Sequence, residues 1–317
     1  MDLGDYLAIG HFSWAVCISL EEKESRIMIS QTTDSLTAFR RDLNKYGLCG
    51  QSFSLFREIV WNYYTTNKRD LPWRHTVEPY HIYVSEIMLQ QTQVERVILK
   101  YAQFMKVFPD FSSLSNAPLE EVLRVWQGMG YNRRAKALKE GAKRVMTEFN
   151  GRLPEDETIL QTFPGIGKAT ASSIVAFAWN KPALFIETNI RRVFIHFFFH
   201  DQEGINDNAI IPLVERTLDR ENPREWYYAL MDYGAMLKNN VPNPNRRSSS
   251  YSKQSRFEGS DRQIRGLVLK IMLEKGEISE KDLMICIKRE PERTRKIIKQ
   301  MVDEGFIKQD GLLFRIS

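Results

Sequence analysis

Along this chain, apolar positions recur every three or four residues in one segment after another, and short polar or Gly/Pro-rich breaks separate the segments. In SFSLFREIVWNYYTTN, Phe56, Ile59, Val60 and Tyr63 share one face, which predicts an amphipathic helix. It ends before RDLPWRHTVEPYH, where Pro72 and Pro79 mark an irregular loop. The run HIYVSEIMLQQTQVERVILKYAQFMKVF predicts one long helix or two. SSLSNAPLEEVLRVWQGMG predicts another, with Pro118 near its first turn and Gly128 and Gly130 at its end. RRAKALKEGAKRVMTEFNG, TILQTFPGIGKATASSIVAFAW and REWYYALMDYGAMLKN continue the pattern, the middle one interrupted by a tight glycine turn. Residues 1–50 have no clear period and stand as an unassigned N-terminal extension. No strand–helix–strand alternation appears, so the fold class is mainly α.

The pattern changes at residues 242–261, where VPNPNRRSSSYSKQSRFEGSDR is rich in Pro, Asn, Ser and Arg and predicts a basic linker. Residues 262–317 then predict three helices and a short hairpin around Asp310-Gly311, the outline of a winged helix-turn-helix module. Its third helix carries Arg293, Arg295, Lys296 and Lys299, as a groove-reading helix would.

Charge sharpens this division. The net charge of +5 is modest, but from Pro242 onward there are 17 Lys and Arg against 11 Asp and Glu, while the rest of the chain carries 28 against 29. A nearly neutral body with a basic end suits a partner rich in phosphates. The three cysteines, Cys17, Cys49 and Cys286, lie far apart and argue against a Cys-rich metal site. No apolar run approaches a membrane span, and the acidic start does not resemble a signal peptide, so a cytoplasmic, nucleoid-associated protein is expected.

The strongest local signal is LQTFPGIGKATASSI. Gly165 and Gly167 permit a sharp turn and a close approach by phosphate. The helix opening at Lys168 offers free backbone N–H groups, a positive dipole end and a side-chain charge. Gly165, Gly167 and Lys168 are therefore the candidate contacts to a nucleic-acid backbone, bound without reading its sequence.

Six blocks extend this motif into a family resemblance: LPWR (71–74), SEIMLQQTQV (85–94), WQGMGYNRRAKAL (126–138), FPGIGKATA (163–171), IETNIRRV (186–193) and ALMDYGAML (229–237). Residues 51–241 resemble the helix-hairpin-helix (HhH-GPD) DNA glycosylases, and within them the A/G-specific, MutY-like adenine glycosylases. The resemblance implies a two-lobed helical fold, double-stranded DNA as partner, a monomer, and excision of adenine opposite 8-oxoguanine or guanine. It casts Glu86 as the acid that protonates the purine ring nitrogen, and Glu187 as the carboxylate facing the sugar. Acid on the leaving group and charge at the anomeric carbon are the logic of glycoside hydrolysis. Gln91 matches a wedge inserted into the base stack and Tyr131 an aromatic beside the opposing base. Leu71, Trp73 and Arg74 match pocket-lining positions, Asp232 a contact to the flipped base, and Asn189 an asparagine near the sugar.

The departures are as informative. The family places aspartate where this chain has Glu187, one methylene longer. Ala169 stands where the lyase branch carries lysine, so Schiff-base chemistry lacks its amine and a monofunctional enzyme is expected. Lys238 replaces the first of four cysteines that hold an iron–sulphur cluster in most of the family, so no cofactor and no metal are expected. The winged-helix-like module stands in place of the domain that recognises 8-oxoguanine in MutY. Two other readings follow from these departures: a glycosylase of the same family with a different damaged or mismatched base as target, or a DNA-binding protein without catalysis.

Overall fold

The computed structural model describes residues 35–317. Helices dominate, and residue contacts gather them into two compact units. The first comprises the described chain up to Lys68, Ile186–Asp219 and Glu225–Tyr251. The second comprises Arg69–Phe185, Arg220–Arg224 and Ser252–Ser317.

The first unit contains α1 (35–46), α2 (Gly50–Asn67), α10 (Thr188–Phe198), α11 (Asp207–Thr217) and most of α12 (Pro223–Asn240). Helix α2 buries Phe53, Phe56, Ile59, Val60 and Tyr64, the stripe its periodicity predicts, although Tyr64 rather than Tyr63 completes it. The core is aromatic: Phe56 packs against Phe194, Phe197, Phe198 and Trp226 with ring centres 5.0 to 6.0 Å apart. Phe39 of α1 is fully buried against Phe197 and Phe198, so residues 35–46 are part of this packing. Helices α10 and α12 approach closely at Gly234, where a Cβ would stand 2.4 Å from the Asn189 carbonyl oxygen. Only glycine fits there.

The second unit holds α3 (Pro79–Leu89), α4 (Val94–Val107), α5 (Phe111–Asn116), α6 (Leu119–Trp126), α7 (Arg133–Glu148), α8 (Glu157–Leu160) and α9 (Lys168–Trp179). The long predicted helix is thus two, broken at Gln90–Gln93. The C-terminal segment follows in the same unit: α13 (Asp261–Lys275), β1 (Ile278–Ser279), α14 (Glu280–Ile287), α15 (Pro291–Asp303), β2 (Ile307–Asp310) and β3 (Leu313–Ile316). Side-chain caps set the starts of these helices. Ser260 accepts from Gln263 N, Ser279 from Asp282 N and Glu290 from Arg293 N. The three strands form an antiparallel sheet in the order β1-β3-β2, with the predicted hairpin turning at Gly311.

The C-terminal segment does not hang from a bare tether. Ile264, Val268, Met272, Met301 and Phe306 belong to one continuous apolar core with Phe104, Trp126 and Leu138. Glu304 receives Arg265 at 2.5 Å and Arg133 of α7, while Lys136 of α7 donates to its carbonyl. Those guanidinium bonds, Arg133 foremost, hold the Glu304 carboxyl below its ordinary range. On α15, Arg293 pairs with Asp261, and Arg295 pairs with Glu280 and Glu292. Two of the four cations expected to read a groove are thereby engaged within the protein.

Candidate active site

Helix α3 starts on Pro79, whose fixed φ suits a first turn, and buries nearly all of its length. Tyr83, Val84, Ser85, Ile87 and Met88 face the core, and Glu86 is the half-buried carboxylate among them. Ser173 of α9, itself buried, meets Glu86 Oε2 at 2.6 Å and lies 3.0 Å from the Thr170 carbonyl. One hydroxyl proton serves one of these acceptors at a time. With Ser173 donating to Thr170, its oxygen is free to accept a proton carried by Glu86. The pair thus accommodates either the charged or the neutral carboxyl.

The glycine turn forms as its sequence predicts. Ile166 N closes on Phe163 O at 3.2 Å, with Gly165 in the left-handed region at φ +75°. Gly167 caps α9 with no side chain in the way, leaving the N–H groups of the first turn and the exposed Lys168 facing outward. Ala169 is exposed in that same turn. Gln90 ties the turn to the end of α3, donating to Gly165 O at 3.1 Å and Thr170 Oγ1 at 3.2 Å.

Five described non-glycine residues of this unit adopt left-handed backbone, and two of them, Gln91 at φ 54° and Tyr131 at φ 47°, are expected site residues. Such positions cost energy and persist only when the surroundings enforce them. Here one buried side chain enforces both. Arg134 donates to Met88 O at 2.9 Å, Gln90 O at 2.5 Å and Thr92 Oγ1 at 2.9 Å on one side. On the other it reaches Met129 O and Gly130 O, each at 3.3 Å. Its guanidinium also lies 5.4 Å from the ring centres of Trp126 and Tyr131. Burial pushes its pKa down to about 10, still charged at neutral pH. Of the other expected site residues in this unit, Leu71 and Trp73 are core residues only 5% and 3% exposed. Little of either surface is left for a base to touch. Arg74 is half-buried and donates to Arg69 O.

In the first unit, Glu187 is the N-cap of α10. Its Oε1 accepts from Asn189 N at 2.7 Å and Ile190 N at 2.9 Å, and Oε2 accepts from Asn189 Nδ2 at 3.4 Å. Burial raises the carboxyl above its ordinary range, opposed by these two amides and by Arg192 and Arg191. Asn189 is half-buried and accepts from the buried Arg192, which also donates to Gly234 O. Asp232 is buried on α12.

Comparison with known proteins places this geometry. Residues 84–210 match the HhH-GPD superfamily of base excision DNA repair proteins. The thymine/uracil-DNA glycosylase of Methanothermobacter thermautotrophicus is 31% identical over 186 residues, covering 58% of this chain and 84% of that protein. This chain is an HhH-GPD protein. The adenine DNA glycosylase of Buchnera aphidicola subsp. Baizongia pistaciae is 37% identical over 188 residues, 58% of this chain and 53% of that protein. Against the rat and human adenine DNA glycosylases the covered share is 38% and 36%, so the chain spans about half or less of the first curated relatives' length. Among solved structures, that of a thermostable thymine-DNA glycosylase aligns with a TM-score of 0.53 and 29% identity, over 58% of this chain and 86% of that one.

An HhH-GPD iron–sulphur cluster held by four thiolates does not fit this chain, which has three cysteines. Cys49 and Cys286 lie in different units, and Cys17 falls outside the described residues. Where the family's cysteines would follow α12, a polar clamp is found instead. Asn245 donates to Thr188 O at 2.9 Å, and Arg247 reaches the Phe199, His200 and Ile195 carbonyls at the end of α10. Sequence reasoning missed this clamp, as it missed Ser173 and Arg134. Arg134 stands three residues after Tyr131 and Ser173 one helical turn beyond Ala169, but neither spacing reveals the partner.

Proposed function

We propose that this chain is a monofunctional DNA glycosylase that flips adenine out of a duplex, from A opposite 8-oxoguanine or guanine, and hydrolyses its glycosidic bond. The observation that carries the reading is Glu86 paired with Ser173 beside the glycine turn, where a carboxyl can carry a proton to a leaving purine. Adenine is a poor anion, and a general acid contributes about 10²- to 10⁴-fold to such a departure. As the bond from C1′ to N9 breaks, the base takes the electron pair and the Glu86 proton, and water adds to C1′ and gives up a proton that restores the acid. Glu187 supplies negative charge to the cationic sugar. Lys168 and the amides after Gly167 hold backbone phosphate, while Gln91 and Tyr131 fill the space the base vacates. Ala169 offers no amine, so the product is an intact strand with an abasic site. No iron–sulphur cluster takes part.

A second reading changes the target to thymine or uracil opposite guanine, favoured by the likeness to the M. thermautotrophicus thymine/uracil-DNA glycosylase. Single-turnover cleavage of duplexes carrying A:8-oxoG, A:G, T:G and U:G separates the two. Adenine release, lost by at least about 100-fold in Glu86→Gln with DNA binding retained, is the expected result. Release of thymine or uracil alone overturns the first reading, and adenine release by the glutamine variant at the parental rate overturns the role of Glu86.

A further inference from the structure

Between α12 and α13 the chain carries no acidic residue from Tyr233 to Phe257, yet Lys253 and Arg256 fall in its last stretch. That stretch is fastened to Tyr131. Gln254 Nε2 donates to the Tyr131 hydroxyl, and Arg262 Nη1 donates to the same oxygen at 2.6 Å. The Arg262 guanidinium lies 5.1 Å from the Tyr131 ring centre and also donates to Ser255 O at 2.7 Å. Past it, Ser260 N closes a turn on Phe257 O at 3.1 Å with Gly259 left-handed, and Gln263 fixes the Gly259 amide at 2.8 Å. The segment is therefore built into place. What it presents outward is unspent: Phe257 is 58% exposed. Among the described residues, Phe257 has no ring partner, Lys253 and Arg256 have no ion pair, and the Tyr131 hydroxyl donates to nothing.

We propose that Ser252–Arg262 is a DNA-contacting arm that engages the strand opposite the excised base. The proposal rests on reading the chain as a glycosylase of duplex DNA. Lys253 and Arg256 meet phosphates, Phe257 stacks on a base face, and Tyr131, locked by Gln254 and Arg262, stands at the base left without its partner. The chemistry fits single-stranded or disrupted DNA and not a protein surface, because cations alternate with one exposed aromatic and no carboxylate intervenes before Glu258. Two donors converging on the Tyr131 oxygen fix the direction of its own O–H, leaving a donor for an acceptor on the orphaned base.

The test measures equilibrium binding of the full chain to duplexes in which the target nucleotide is a tetrahydrofuran abasic analogue opposite A, C, G or T, over a salt series. Phe257→Ala should weaken binding by about 10-fold. Arg256→Ala should lower the salt slope by about 1. Tyr131→Phe keeps the ring but frees the arm, and should collapse the affinity spread among the four opposite bases. Phe257 and Arg256 are exposed, so unfolding does not confound them, and a thermal melt checks Tyr131→Phe. Parental affinity in Phe257→Ala together with a parental salt slope in Arg256→Ala overturns the proposal. So does a wild-type affinity that ignores the opposite base, or an equal Phe257→Ala loss on undamaged duplex. The analogue has no base to excise, so failure here leaves the excision reading untouched, and failed excision leaves this result standing.

Discussion

Replacing Arg134 with methionine tests whether one buried cation holds the loops carrying Gln91 and Tyr131 in shape. Methionine matches much of the volume but makes none of the bonds. The best three, to Met88 O, Gln90 O and Thr92 Oγ1, span 2.5 to 2.9 Å. Bonds to a charged group contribute roughly 1.5–3 kcal/mol each, so about 5–9 kcal/mol is at stake. Burying the guanidinium offsets part of this. Its fall from 12.5 to about 10 corresponds to about 3 kcal/mol. The net loss is on the order of 2–6 kcal/mol, which lowers the melting temperature by roughly 5–15 °C for a chain of this size. Function should fall further than stability. Without the clamp, Gln91 and Tyr131 relax from backbone that costs about 1–2 kcal/mol each to maintain. Excision measured well below the variant's melting point should therefore drop at least about 10-fold. Arg134→Lys, with a point charge that cannot span both loops, should restore little of either property. If the methionine variant melts within a degree of the parent, or lysine restores both stability and rate, the clamp is not what fixes these loops.

Buried His196 is held down to about 4 by desolvation and by Arg40 and Arg247, while its unfolded value is near 6.5. Its contribution, on the order of 3 kcal/mol, is complete above pH 6.5 and lost as pH falls through 4, and His196→Asn should flatten that part of a melting-temperature profile. Deleting residues 262–317 should destabilise the second unit, since it strips Val268, Met272 and Met301 from a continuous core, and a truncated chain melting like the parent refutes that packing. For Glu187, the aspartate variant should keep both the cap and excision activity, whereas glutamine should hold the melting temperature within a few degrees and lose most of the rate. A glutamine variant at parental rate would make the residue a cap alone.

Periodicity made the helices legible because most of them bury a single stripe, as α2 does with Phe56, Ile59 and Val60. It did not settle on the break at Gln90–Gln93, because this short polar run contains no glycine or proline and the bonds that hold it lie elsewhere in the chain. Arg134 is 44 residues from Gln90, and no local pattern reveals that a guanidinium will take that carbonyl. The glycine turn and Glu86 were readable from motif and chemistry, but Ser173 was not, since serine in an Ala-rich helix carries no mark of its partner. The linker expected at 242–261 proved the least legible. Its Ser, Asn and Arg content suggests a flexible tether, yet Asn245 and Arg247 spend their donors on carbonyls of the first unit. Gln254 and Arg262 spend theirs on Tyr131 in the second. Polar composition signals disorder only where the donors find no buried acceptors.

The substitution of glutamate for the expected aspartate at position 187 follows the same principle of partners fixing a side chain. An N-cap carboxylate is positioned by the amides it accepts, and Glu187 Oε1 takes two of them, at 2.7 and 2.9 Å. The extra methylene is absorbed in reaching the helix end, so the helix, not the length of the side chain, sets where the charge sits. Burial raises the carboxyl above its ordinary range, and the same amides, the dipole they terminate, and the nearby Arg192 and Arg191 partly oppose that rise. Oε2 keeps one weak contact, to Asn189 Nδ2 at 3.4 Å. One oxygen is thus anchored and one lightly held, an arrangement that would suit the sugar-facing role proposed for Glu187, because an anchored carboxylate costs little reorganisation when charge develops. The bonds to Asn189 N and Ile190 N account for the cap by themselves, so it is the rate of the glutamine variant, and not its melting temperature, that separates a cap from a charge used in catalysis.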